Sequence, residues 1–319
     1  MKKKARNIGV FTTACVGSLC ALCWQTFNRM LVRRKDGKKP LKALEHPESD
    51  YMKAHRKWLN QQPMEEVYIK SFDGLSLYGR LYIPEDLSEE ENPKTIILCV
   101  HGYQTDGPTD FAPFAPFYKK NHFIYCLIDH RAHGKSEGKY IGLSYQEKFD
   151  VLKWANFLVK RFGSDCQIYL HGVSMGGSTV LSCCDQETLP PQVKGIISDC
   201  AFSNGWNEST LISKNFLHLP PFPLLYVFNG ICKKRAGYDI RDISPIDAVA
   251  ASKVPILFIH GDRDRFVPTK MSYQLYHACR SPKQLLIIHG ASHMHCYKTD
   301  PDSYEKAFLE FIEKTQAKA

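Results

Sequence analysis

Three kinds of residue in this chain could do nucleophilic chemistry together: a serine between glycines, aspartates at one turn, and histidines at the next. The serine is in Gly172-Val173-Ser174-Met175-Gly176, a G-x-S-x-G stretch between the apolar run Ile168-Tyr169-Leu170 and the helix-compatible run Ser178-Thr179-Val180-Leu181. That setting puts Ser174 on a sharp strand-to-helix turn with its hydroxyl above the sheet end, where a β-carbon on either glycine would collide with its surroundings. Serine is a weak nucleophile alone and needs a base, an orienting acid and oxyanion donors. After the apolar run Pro255–Ile259 come Asp262 and Asp264, and after Gln284–Ile288 come His289, His293 and His295. An acid after one strand and a histidine after the following one give the chain order Ser, Asp, His. The H-x-H pair His293 and His295 has no surrounding Cys, His or carboxylate set of the kind zinc requires, so no metal is expected. His101, His130, His133 and His171 read as structural hydrogen-bonders.

These residues need a sheet to position them. Short continuous apolar runs (Thr95–Val100, Phe123–Ile128, Gln167–Leu170, Gly195–Ser198, Pro255–Ile259, Gln284–Ile288) alternate with amphipathic stretches, the pattern of a parallel sheet covered on both faces. Before them, Glu66–Lys70 and Leu75–Tyr82 flank an Asp73-Gly74 turn and predict an antiparallel hairpin. The stretch Tyr145–Phe162 predicts a helix burying Phe149, Leu152, Ala155, Leu158, Val159 and Phe162, opened by a Ser144/Glu147 capping box. A last helix after Asp300-Pro301 buries Ala307, Phe308, Phe311 and Ile312. Over fifty residues separate the runs ending at Ser198 and starting at Pro255. Their aromatics and leucines, with the Pro220-Pro221-Phe222-Pro223 bend, predict a helical lid at about 201–248.

Across this frame the chain resembles the α/β-hydrolase superfamily over roughly residues 65–315. Val100-His101-Gly102-Tyr103 resembles its oxyanion loop, and Asp129-His130-Arg131-Ala132-His133-Gly134-Lys135-Ser136 its D-x-R-x-H-G-x-S turn. Gly261-Asp262-Arg263-Asp264 with Val267-Pro268 resembles its acid loop, and Gly290-Ala291-Ser292-His293 its histidine loop. Among its members the chain is most similar to membrane-anchored serine hydrolases of Gram-positive bacteria, which also resemble serine-aminopeptidase-type hydrolases. The resemblance implies an α/β-hydrolase fold: a mostly parallel eight-stranded sheet flanked by helices, with a helical lid insertion. It implies Ser174 as nucleophile, His293 as base and Asp264, the second aspartate of its loop, as orienting acid. Backbone N–H groups of Tyr103 and Met175 would receive the oxyanion. The expected activity is cleavage of carboxylic esters, with thioesterase, lipase and peptidase as alternatives on the same triad and no cofactor. A peptidase that holds a substrate amino group needs acids near the lid, which offers Glu208 and Asp239. A catalytically silent, membrane-tethered binding protein is the other class, but silent members usually lack a triad residue and none is missing here.

Charge and composition bound the partners. The net charge is +9, yet residues 1–42 hold eleven Lys or Arg against one acid, Asp36. Subtracting these from totals of 42 and 33 leaves 31 basic and 32 acidic residues, so nucleic acid is not an expected partner. Residues 1–32 read as a basic N-terminus with a membrane anchor or signal segment, because Ile8–Trp24 carries no charge and lies between basic clusters. Residues 33–62 read as a linker with a helix-like patch at 51–59, and residues 63–319 as the hydrolase domain. The partners expected are an acyl or other small-molecule substrate and a membrane, met through the N-terminal segment. Of twelve cysteines, Cys15, Cys20 and Cys23 lie in the N-terminal apolar segment, and the other nine are scattered with no C-x-x-C pair among them and read as small buried hydrophobes in reduced form. Nothing in the sequence sets an oligomeric state.

Overall fold

A computed structural model describes residues 2–33, 49–87 and 94–316, with side chains from residue 17 onward. Residues 34–48 of the expected linker, the Arg34-Lys35 cluster, the Cys15 thiol and the first basic side chains lie outside the described part. The elements in chain order are α1 (Lys2–Leu31), α2 (Asp50–Leu59), β1 (Met64–Lys70), β2 (Ser76–Tyr82), β3 (Thr95–Val100), α3 (Gly107–Phe111), α4 (Ala115–Lys120) and β4 (Ile124–Ile128). There follow α5 (Glu147–Phe162), β5 (Gln167–Val173), α6 (Met175–Leu181), β6 (Val193–Asp199), α7 (Gly205–Asn215), α8 (Pro221–Arg235) and α9 (Pro245–Ala251). The chain closes with β7 (Ile256–Gly261), α10 (Lys270–Ala278), β8 (Lys283–Ile288), α11 (Cys296–Thr299) and α12 (Pro301–Gln316).

The eight strands form one sheet in the order β1-β2-β4-β3-β5-β6-β7-β8. The hairpin β1–β2 is antiparallel, β2 joins β4 antiparallel, and every later pairing is parallel. The central strands β3, β4 and β5 are buried almost end to end, as continuous Ile/Leu/Val runs require when helices cover both faces. One face packs Trp154, Leu158 and Leu181; the other packs Phe111, Tyr118, Phe308 and Phe311. The hairpin turn is tied to the fold's interior: Arg131 holds Asp150 through Nε and Nη2 at 2.6 and 2.8 Å and reaches Asp73 at 3.0 Å. All nine cysteines of the body are buried free thiols.

Two local expectations differ. Helix α5 starts at Glu147, and Ser144 does not cap it: its Oγ donates to Met175 O at 3.0 Å, at the start of α6. Glu147 still reaches back, accepting from the N–H groups of Gly142 and Ser144 at 2.6 and 3.0 Å. Its buried face also includes Val151 and Trp154, which outrank the half-buried Phe149 and Phe162.

The C-terminal end of the N-terminal segment packs on the body. No helix of the described residues is long and apolar enough to cross a membrane. The C-terminal part of α1 lies on the lid: Phe27 and Leu31, each at 1 % exposure, share one cluster with Leu225, Met175 and Phe202, and the buried Cys23 thiol donates to Leu224 O at 3.4 Å. Residues at the segment's boundary with the expected linker join the body as well. Val32 bridges Tyr140, Ile141 N–H donates to Leu31 O at 2.8 Å, and Arg33 donates to Gly134 O at 2.6 Å. Phe27 meets the rings of Tyr140 and Phe228 at 5.6 and 6.3 Å. Phe27→Ala is therefore expected to cost about 3–5 kcal/mol of α1 docking. Limited proteolysis would cut α1 faster while the sheet's thermal unfolding changes little; unchanged protection of α1 would contradict this packing.

Candidate active site

The turn after β5 is built for a projecting side chain. Ser174 sits at φ +55°, ψ −119°, a region that non-glycine residues enter only under constraint. The constraint is mutual closeness: a β-carbon on Gly172 would strike the Gly176 carbonyl, and one on Gly176 would strike the Val100 and His101 carbonyls, both well inside van der Waals contact. Ser174 N–H donates to Asp199 O at 2.8 Å, tying the turn to the end of β6.

The loops after β7 and β8 bring the other two groups to it. Ser174 Oγ lies 2.8 Å from His293 Nε2, and His293 Nδ1 lies 2.6 Å from Asp264 Oδ2. A carboxylate only accepts, so Nδ1 carries the proton and Nε2 is free to accept from the serine hydroxyl. Asp264 is saturated with donors. Its Oδ1 accepts from Phe266 and Val267 N–H at 2.8 and 2.9 Å, and Oδ2 also meets His260 Nε2 at 3.1 Å. Burial alone would push the carboxyl up, but hydrogen bonds from His260 and His293 outweigh it and hold the group well below the usual carboxylate range.

His260 was not singled out from the sequence. It ends an apolar strand and is fully buried, with Nε2 shared between Asp264 and Val267 O and Nδ1 2.6 Å from Ser272 Oγ. Two acceptors on Nε2 make that atom the donor, so His260 helps orient Asp264 through the same Oδ2 that His293 uses. The signal available was its place four residues before Asp264 at a strand end.

The rivals take other partners. Asp262 accepts from Gly290 N–H at 2.7 Å and pairs with His289 Nδ1 at 2.9 Å on an exposed loop. His295 bonds Ser292 Oγ and His293 O. His171 is locked between the hydroxyls of Tyr118 and Tyr304 at 2.6 and 2.9 Å, and burial pushes it down to about 3. His101 and His133 hold loops together: His101 Nε2 accepts from His130 N–H, and His133 Nε2 from Gln104 N–H. Cys200, Asp264 and His293 offer three ligand atoms within 4.8 Å of one another. The last two are already hydrogen-bonded to each other, and burial keeps the Cys200 thiol protonated by pushing it up, so the set is a poor metal cage.

The expected oxyanion donors flank the serine. Met175 N–H opens α6, where no intrahelical acceptor exists for it. The Gly102-Tyr103 loop runs alongside: a β-carbon at Gly102 would come 3.3 Å from Ser174 Cβ. Gly102 N–H and Thr105 Oγ1 both donate to the buried Asp110 Oδ2 at 2.7 Å, which fixes the loop. The Tyr103 hydroxyl points away, donating to Met30 O of α1 at 2.5 Å.

Ser174 opens into a cavity of about 120 Å³ roofed by α7 and α8, the lid predicted between β6 and β7. Unexpectedly, α1 supplies one wall through Leu22, Cys23, Thr26, Met30 and Leu31. Of the two lid acids weighed for a substrate amino group, Asp239 is taken by Arg241, Lys233 and Asn229 at 2.6–3.1 Å, whereas Glu208 lines the cavity. An imidazole held in this tautomer beside a strained serine suits acyl transfer: it takes the hydroxyl proton as Oγ attacks, then returns it to the leaving group.

Comparison with known proteins gives the fold and the family. The chain is 28% identical over 257 residues to an uncharacterised Bacillus subtilis protein, YqkD, covering 79% of this chain and 82% of that one. Among solved structures it is similar to an esterase of Pyrococcus furiosus, at 20% identity and TM-score 0.63, covering 85% of this chain and 96% of that one. It is also similar to Est1E of Butyrivibrio proteoclasticus with ferulic acid bound, at 21% identity and TM-score 0.61, covering 79% and 99%. These likenesses establish the α/β-hydrolase fold. The model of the prolyl oligopeptidase family matches residues 118–318, a span that holds the serine turn and both loops facing it. The chain therefore belongs to the prolyl oligopeptidase family, within the α/β-hydrolase superfamily.

Proposed function

We propose that this protein is a serine hydrolase that cleaves carboxylic esters through an acyl-enzyme intermediate. The observation that carries the reading is the continuous hydrogen-bond chain Ser174–His293–Asp264 ending at an apolar cavity. In this account Ser174 Oγ attacks the ester carbonyl as its proton passes to His293 Nε2. The oxyanion is received by Met175 and Tyr103 N–H groups, and loss of one such donor costs roughly 10²–10³ in rate. Collapse expels the alcohol, protonated by His293. Water then enters, gives its proton to the same imidazole, and releases the acid and free Ser174.

Family membership and the cavity acid Glu208 favour a second reading, a peptidase on the same three residues. A matched pair of substrates separates them: the p-nitrophenyl ester and the p-nitroanilide of one acyl group. The ester reading expects the ester to be turned over at least about a hundredfold faster in kcat/KM, beyond its greater intrinsic reactivity measured in buffer. Comparable catalysed acceleration of the anilide would favour the peptidase.

Association with a membrane through α1 belongs to the same proposal, as surface contact. Its support is the uncharged run Ile8–Trp24 continuing into exposed aromatics, with Trp24 at 41% and, on the neighbouring α8, Phe222 at 74% and Tyr226 at 56%. Flotation of the full chain with anionic vesicles would bear this out, and recovery wholly in the unbound fraction at low salt would contradict it.

A further inference from the structure

The lid holds one group that the reaction above leaves unused. Glu208, on α7, is 5% exposed and lines the cavity that Ser174 opens into. Neither of its Oε atoms has a hydrogen-bond partner among the described residues. Its surroundings in the cavity are mostly apolar, with Ile212, Leu217, Leu225, Phe228 and Phe266, and among the described residues no Lys or Arg lines the space. The contrast with Asp239 on the same lid, which collects three partners, is direct. An unpaired buried carboxyl destabilises the fold relative to an apolar side chain of similar volume, so the partner missing from the protein is expected to come from whatever fills the cavity.

We propose that Glu208 is a specificity-determining residue whose carboxyl group donates a hydrogen bond to an oxygen carried along the acyl chain of the substrate, a hydroxyl, oxo or ether group. The inference rests on the ester-hydrolase reading above. Burial, with Asp264 nearby adding to it, pushes the Glu208 carboxyl up to about 8, so at neutral pH it is an uncharged donor. A neutral donor meeting a neutral oxygen brings no charge into the apolar chamber. A substrate ammonium would instead require burying two charges, an exchange that commonly only breaks even. The cavity thus accepts an apolar chain and discriminates on one polar atom within it.

The test uses p-nitrophenyl esters of one medium-length acyl chain: plain, hydroxylated at successive carbons, or bearing a terminal amine, at neutral pH. For the wild-type chain, kcat/KM is expected to favour one hydroxylated isomer over the plain ester by about tenfold or more, because the plain chain leaves Glu208 unpaired. Glu208→Leu is expected to abolish that preference and to raise turnover of the plain ester. Glu208→Gln, which keeps a donor of the same shape, is expected to retain the preference. A wild-type enzyme indifferent to every hydroxyl position would overturn the proposal, as would a preference that survives Glu208→Leu. A preference for the amine ester would overturn it in favour of an ionised Glu208 binding a cation. Labelling by a fluorophosphonate probe, run alongside, separates the outcomes. Labelled enzyme without discrimination defeats only the role of Glu208, whereas unlabelled enzyme defeats the hydrolase reading beneath it.

Discussion

Ser174→Ala is expected to lower kcat/KM for p-nitrophenyl esters by about 10⁴-fold or more while leaving the far-UV spectrum and thermal midpoint close to those of the parent chain. The size follows from the non-additivity of a nucleophile–base pair: without Oγ, His293 has no proton to take, and only binding and the oxyanion donors remain. The spectrum should hold because the turn is imposed by Gly172, Gly176 and the Asp199 carbonyl, none of which involves the hydroxyl. Residual activity within a hundredfold of the parent would mean that another group performs the attack.

Asp264→Asn is expected to cost about 10³–10⁴ in kcat/KM, with KM changed far less. Four donors converge on Asp264: Phe266 and Val267 N–H on one oxygen, and the imidazoles of His260 and His293 on the other. An ionised carboxylate can accept all of them, but an amide must point its NH₂ at one pair. If it faces the backbone, two buried donors are left opposed by a third. If it faces the imidazoles, His293 turns to its other tautomer and presents Nε2–H to Ser174, which it can then no longer deprotonate. Steady-state kinetics checks this prediction, and a loss under tenfold would show that Asp264 does not set the tautomer. Substituting His260 should cost much less, because, of the three residues Ser174, His293 and Asp264, it hydrogen-bonds only Asp264, which retains its backbone donors.

These residues were legible in the sequence to different depths for identifiable physical reasons. The parallel strands were readable because burial on both faces writes itself as unbroken apolar runs, and the serine turn because its two glycines are sterically required. Choosing Asp264 over Asp262 and His293 over His289 was not possible from spacing alone and came from family resemblance. What separates them in space is that Asp262 and His289 satisfy each other on an exposed loop, while Asp264 is held beneath His293. Ser144 was assigned to a local cap, but a long-range acceptor, Met175 O, took its hydroxyl. His260 escaped notice because a buried histidine at a strand end carries no periodic signal.

The N-terminal helix shows the same limit. An uncharged run such as Ile8–Trp24 suits lipid or protein equally, and apolarity does not say which. The docking of Phe27 and Leu31 against α8 depends on residues about two hundred positions away. That packing makes α1 part of the substrate cavity, so the helix and the chemistry are coupled: a change that undocks α1 also removes a wall from the space above Ser174. Glu208 became conspicuous only when the cavity was seen around it, since in sequence it had no standing over Asp239, the other lid acid weighed for a substrate amine.

The central claim is that Ser174 is an activated nucleophile, and covalent labelling tests it most directly. The folded full-length chain, treated with a fluorophosphonate and analysed by intact mass and peptide mapping, is predicted to gain a single adduct on Ser174, and His293→Ala is predicted to suppress it. A well-folded chain that gains no adduct, or carries it on a different serine such as Ser292, would contradict the account.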